Sequence, residues 1–187
     1  MTTEILVIGL GNVLMQDEGV GVRAVEALEG MYEIPDGVVV MDGGTTGTEL
    51  LEPMRDVKHL IVTDSVNTGD PEGTLIRLAD EQVPAFFQTK ISNHQLGLSD
   101  LLGILQLQGQ SPETVTIIGM VPYKLENSLG LSPETEGRVL KMLDMLVDEI
   151  EERGVNLKKR EQSVAGFGRN MRKTGVCHVY RNTCKSN

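Results

Sequence analysis

Tryptophan is absent, only three tyrosines and three phenylalanines occur in 187 residues, and cysteine appears twice. Both cysteines, Cys177 and Cys184, lie near the carboxyl end. No disulfide framework can therefore staple the body of the chain. Cys177, His178 and Cys184 offer at most three soft ligands without a second Cys-x-x-Cys pair, which favours two free thiols over a metal site. No apolar run approaches the roughly 18 residues of a membrane span. The start, Met1-Thr2-Thr3-Glu4, has neither a basic stretch nor a cleavage site, so the chain reads as cytoplasmic with no membrane attachment.

Positive charge is scarce in most of the chain. Residues 1–157 carry 9 basic and 26 acidic side chains, whereas residues 158–187 carry 8 basic and one acidic. An anionic body repels nucleic acid, which excludes that class of partner. What remains is an ordinary globular composition, 40% hydrophobic and 24% charged, with the length of a single domain.

The apolar segments alternate in period. Ile5-Leu6-Val7-Ile8 is short and continuously apolar, as a strand covered on both faces is. Helical spacing follows over 19–31. Val38-Val39-Val40-Met41 is a second buried strand, 45–54 suits a short helix ending near Pro53, and His59 to Thr63 is a third strand closed by Asp64. Residues 73–78 read as an edge strand. Leu98, Leu101, Leu102 and Leu105 mark a helix over 96–107, with Ser92 or Asn93 as its cap and His94 in its first turn. Residues 114–121 form a β-branched strand, and 133–150 a long amphipathic helix capped by Ser132.

This β-α-β order predicts an α/β fold in three layers, a mostly parallel sheet with helices on both faces. Residues 1–154 make one domain. Periodicity stops near Gly154, so 155–187 is expected to be a basic extension, solvated and mobile. Ligands of such sheets gather beyond the carboxyl ends of the strands.

Those ends are rich in acids and glycines. The first loop, Gly9-Leu10-Gly11-Asn12 to Asp17-Glu18-Gly19-Val20-Gly21, lacks the dinucleotide pattern because Leu14 stands where a third glycine is required. Two acids also occupy the helix start where a pyrophosphate would sit, so no nucleotide is expected. Asp17 and Glu18 read either as capping acids that complement the helix dipole or as ligands. Asp42, in Asp42-Gly43-Gly44-Thr45, is either a cap or a functional acid beside a backbone that a ligand can approach closely. Glu18, Asp64 and His94 would form a three-point site for a divalent ion if they met at one sheet edge, an imidazole suiting nickel or zinc. Such a site would bridge to a partner's ion or hold a catalytic metal with bound water. His59 and His178 are less promising. No Gly-x-Ser-x-Gly elbow or His-Glu-x-x-His pair is present.

Taken together, these motifs closely resemble the nickel-iron hydrogenase maturation endopeptidases. The match comprises Gly9-Leu10-Gly11-Asn12, Asp17-Glu18-Gly19 with Gly21, Asp42-Gly43-Gly44-Thr45, the strand into Asp64, Ser92-x-His94, Gly119-x-Val121-Pro122 and Leu131-Ser132-Pro133, spanning about residues 4–154. The resemblance implies a twisted five-stranded sheet and an endopeptidase, classed in the family as aspartic-type, acting as a monomer. It implies that the substrate is the hydrogenase large-subunit precursor, whose C-terminal extension is removed after nickel insertion. Glu18, Asp64 and His94 would contact nickel carried by that substrate. Asp42 would be the candidate catalytic acid, with Asp17, Gly43, Gly44 and Thr45 against the substrate. The competing expectation is a nickel-binding maturation chaperone without proteolytic activity.

Overall fold

The computed structural model describes residues 4–45, 47–88 and 97–162. Its centre is β1 (Ile5–Leu10), in which all six residues are buried. β1 runs parallel to β3 (Val38–Gly44) on one side and to β4 (His59–Ser65) on the other. β6 (Thr114–Met120) continues the parallel set, and β5 (Leu75–Ala79), followed by the short α3 (Gln82–Gln88), closes the edge antiparallel to it. The resulting order is β3-β1-β4-β6-β5, the mostly parallel sheet expected from the alternating periods, with the five strands that the family resemblance implies.

The two-residue period of a strand sends successive side chains to opposite faces, and β1 shows the result. Ile5 and Val7 join a core with α1 (Val20–Met31) and α5 (Pro133–Glu152), while Leu6, Ile8 and Leu10 join one with α2 (Leu51–Met54) and α4 (Leu98–Gln108). Hence the sheet is covered on both faces. α5 buries Val139, Met142, Leu143, Leu146 and Ile150 on one stripe. It starts as expected, with Ser132 Oγ accepting from the Thr135 amide at 3.3 Å and Pro133 in the first turn. No helix among the described residues is long and apolar enough to cross a membrane.

Three expectations shift. The segment after β3 is a 3₁₀ turn (Thr48–Leu50) followed by the single-turn α2, because the eight residues 45–52 ahead of Pro53 give too little apolar stripe for a longer helix. α4 begins at Leu98, where the Gly97 amide donates to Asp100 Oδ2 at 2.8 Å, so the cap position expected of Ser92 or Asn93 falls to Gly97. Ser92, Asn93 and His94 themselves lie outside the described residues.

The third shift concerns the domain boundary. β7 (Lys158–Lys159) pairs antiparallel with β2 (Tyr32–Glu33), directly after α1. The Arg160 amide donates to the Met31 carbonyl at 2.8 Å and its Nε to the Glu29 carbonyl at 3.1 Å. Val155 and Leu157 pack on the α1–α5 core. Residues 155–160 thus lie against α1 and α5; a two-residue strand pair has no period to betray it in sequence. Cys177, His178 and Cys184 lie outside the described residues.

A buried ion cluster fastens the antiparallel edge. Glu149, 2% exposed, receives Arg77 Nε at 2.6 Å, Thr116 Oγ1 at 2.8 Å and an Arg153 guanidinium nitrogen at 2.8 Å, joining β5, β6 and α5. Burial works to raise the Glu149 pKa, but the bonds from Arg77, Thr116 and Arg153 outweigh it and hold the carboxyl below its ordinary value. A depressed folded-state pKa means that this stabilisation is present above the unfolded value and lost as pH falls through the folded one. Glu149→Gln should thus lower stability at neutral pH by about 2–4 kcal/mol, since one partner of a buried pair is removed while Arg77 stays partly solvated. Denaturant melts of both proteins from pH 7 to pH 3 should show the gap closing as acid protonates the native carboxylate.

Candidate functional site at the carboxyl rim of the sheet

Four loops meet beyond the carboxyl ends of β1, β3, β4 and β6. The loop after β1 turns through Gly11 at φ +135°, where any side chain would run into the Glu18 carbonyl. It then enters a 3₁₀ turn, Gln16–Gly19, that leads into α1. A Cβ on Gly21 would collide with the carbonyl oxygens of Thr63 and Leu10. Only glycine lets the first turn of α1 lie this close to the ends of β1 and β4. Thr63 Oγ1 seals the contact by donating to the Gly21 carbonyl at 2.9 Å. This packing brings Glu18, three residues before Gly21, to the same rim as Asp64, one residue after Thr63.

Asp17 and Glu18 are neighbours with opposite fates. Asp17 has no exposed surface, and its carboxylate accepts from the amides of Tyr123 (3.2 Å), Lys124 (2.9 Å) and Ser132 (2.7 Å) and from Ser132 Oγ (2.8 Å). The side chain ties the first loop to the loop between β6 and α5. Glu18 is half-buried, and its Oε2 is shielded from solvent without a hydrogen-bond partner among the described residues. Gln16 Oε1 is in the same condition, on a residue whose φ of +51° is uncommon outside glycine. A left-handed backbone and two unsatisfied oxygens thus coincide in this one turn.

Asp64 is half-buried near the end of β4, with Oδ1 accepting from the Ser65 amide at 2.7 Å. Asp42 is exposed at the end of the edge strand β3, and its Oδ1 accepts from the Gly44 amide at 2.8 Å. The strand register slips there, Gly9 pairing with Asp42 and Leu10 with Gly44. Gly43 is the residue passed over, and a Cβ on it would press on Ile8 and Leu10. The Gly44 carbonyl accepts from the Gly11 amide at 2.7 Å, fixing the Asp42 loop to the first loop. Asp42 and Thr63 both pair with Gly9 from opposite sides, so β3 and β4 end about 10 Å apart at ordinary strand spacing. Thr45 follows as an exposed residue of this loop.

The structure therefore gathers Glu18, Asp42 and Asp64 on one rim, with His94 outside the described residues. Among the described residues, no three His, Cys, Asp or Glu side chains cluster closely enough to hold an ion by themselves. His59 is at the other end of β4, its Nδ1 2.8 Å from Thr114 Oγ1, and burial with nearby Arg153 pushes its pKa down. Sequence reading did not single out Ser132, Tyr123 or Lys124 as partners of Asp17, since they stand more than a hundred residues away and two of them act only through backbone.

The sequence model of one family, described as HycI, hydrogenase maturation protease, matches residues 22–149. The hydrogenase 2 maturation protease of Escherichia coli (strain K12) is 46% identical over 158 residues, covering 84% of this chain and 96% of that protein. The hydrogenase expression/formation protein HupD of Thiocapsa roseopersicina is 38% identical over 162 residues, 86% of this chain and 73% of the relative. Among solved structures, the hydrogenase maturating endopeptidase HybD from E. coli superposes with a TM-score of 0.79 at 45% identity, covering 86% of this chain and 98% of that one. The [NiFe] hydrogenase maturation protease HybD from Thermococcus kodakarensis, at 22% identity, shares the fold with a TM-score of 0.64 over 80% and 99% of the two chains.

The contrast between the rim acids is measurable. Asp17→Ala should cost about 2–4 kcal/mol, because it leaves four donors without their acceptor. Asp42→Ala, which loses one local bond at an exposed site, should cost under about 1 kcal/mol. Urea denaturation of the two variants checks both.

Proposed function

Since the chain belongs to the hydrogenase maturation protease family, we propose that it is an endopeptidase of the cytoplasm that removes the C-terminal extension from the large-subunit precursor of a nickel-iron hydrogenase, once nickel is in place. The observation that carries this reading at the level of residues is Glu18 Oε2, a carboxylate oxygen kept from water and left without a partner among the described residues. An unpaired buried carboxylate oxygen is costly, and an incoming cation relieves that cost. Glu18, with Asp64 at the end of β4 and the imidazole of His94, contacts the nickel that the precursor already carries. The metal arrives as part of the substrate, so its absence from a precursor removes a large share of the recognition energy. That makes cleavage conditional on loading.

Contact with the ion also fixes the register of the bound peptide. Asp42 ends a strand about 10 Å from the end of β4, a distance that about three residues of extended chain span. A peptide anchored near Glu18 and Asp64 therefore passes the Asp42 carboxylate a few residues along. The Gly43-Gly44 backbone leaves room for it, since nothing lies within 4 Å of a Cβ placed on Gly44, and Thr45 continues that edge. Asp42 acts as the acid–base group of an aspartic-type hydrolysis: its carboxylate takes a proton from the attacking water, and the proton then passes to the departing amide nitrogen. Asp17 serves this reaction by holding the loop that presents Glu18.

Purified protein mixed with nickel-loaded and nickel-free precursors should release a short C-terminal peptide from the loaded form alone, read by intact-mass spectrometry. Asp42→Asn should slow that release roughly 10²- to 10⁴-fold while the loaded precursor still binds. Tight nickel binding without release of the peptide would replace the protease by a nickel-binding chaperone, and an unchanged rate in Asp42→Asn would take that residue out of the chemistry.

A further inference from the structure

Five large hydrophobic side chains stand exposed among the described residues, and three of them belong to the two loops that Asp17 ties together: Leu14 (61% exposed), Leu125 (54%) and Leu129 (73%). Leu14 precedes Met15, which bridges to Ser128, the neighbour of Leu129. The Gln16 amide donates to the Ser128 carbonyl at 3.0 Å and the Asp17 amide to the Lys124 carbonyl, beside Leu125, at 3.3 Å. The three leucines thus ride on backbone segments bonded to one another, next to Glu18. Scattered exposed leucines need no explanation, but a group of them on a rim does.

These leucines are also held outward. The buried Asp17 carboxylate grips the amides of Tyr123, Lys124 and Ser132, so the second loop is fixed at both ends and cannot fold its apolar side chains inward without breaking that clamp. On the two loops that carry them, Glu18 and Glu126 stand against Lys124 among the charges not sealed from solvent, which disfavours an occupant of net negative charge.

We propose that Leu14, Leu125 and Leu129 form a docking collar for an apolar, non-acidic segment of the protein substrate, continuous with the peptide's path past Glu18. This rests on the endopeptidase reading above for the identity of the partner. The collar supplies affinity that does not depend on the ion, and the rigid loops supply it without an ordering cost at binding. Apolar contact at the rim and carboxylates at its centre divide recognition into two parts, one reading the shape of the precursor and the other its metal.

The test compares the wild type with Leu14→Ser/Leu125→Ser/Leu129→Ser against nickel-loaded precursor, by calorimetry for Kd and by mass spectrometry for kcat/KM. Leu107→Ser, on the 91%-exposed residue of α4 away from the rim, is the control. The triple variant should raise Kd tenfold or more and lower kcat/KM by a matching factor, with Tm unchanged and the control like wild type. A Kd within twofold of wild type overturns the collar. So does a concentration-dependent dimer that the triple variant dissociates without changing Kd, since the occupant is then a second copy. If the triple variant loses Tm, Leu129→Ser alone must still raise Kd at least threefold or the proposal fails. A wild type that binds without cutting refutes the endopeptidase reading, and the Kd ratio still decides the collar.

Discussion

The rim depends on one carboxylate. Removing Asp17 from water carries a penalty of several kcal/mol, and only the four hydrogen bonds it accepts, three from backbone amides, make that burial tolerable. Because the donors belong to the segment leading into α5, satisfying the charge and placing the β6–α5 loop are one event. Ser132 is the joint: its hydroxyl donates to Asp17 while capping α5. The next residue, Glu18, is held by the same turn with one oxygen unsatisfied. A fully satisfied carboxylate and a partly unsatisfied one are thus adjacent in the chain.

The sheet beneath explains why this arrangement stays put. Gly21 lets α1 begin in contact with the ends of β1 and β4, and the slip at Gly43 angles the end of β3 toward the first loop. Small residues at the rim bring backbones together where larger ones would force them apart. The far end of the sheet is fastened differently, by the Glu149 cluster that anchors the one antiparallel strand. Rigidity at both poles suits a site whose acids must be in place before the substrate arrives.

Most of the fold was legible because apolar period is a local property. The strands at Ile5, Val38, His59 and Thr114 and the helices of α1 and α5 follow from runs that short windows reveal. Asp42 and Asp64 stand out in the sequence because each falls at the end of an apolar strand, and Glu18 because it lies in the loop that follows the first one. The partners of Asp17 were not legible for a reason equally physical: an acid at a helix start looks the same whether it faces water or is sealed beneath a distant loop. The start of α4 at Leu98 and the β2–β7 pair escaped because a capping glycine and a two-residue ladder carry almost no periodic signal.

That small ladder sets a geometry of its own. α1 departs from the acidic rim and runs twelve residues, about 18 Å, before β2 meets β7. The cationic residues Lys158, Lys159 and Arg160 therefore sit at the pole away from the rim. Lys158, Lys159 and Arg160 are thereby held more than a Debye length from the acids, so ordinary salt screens the two charges from each other.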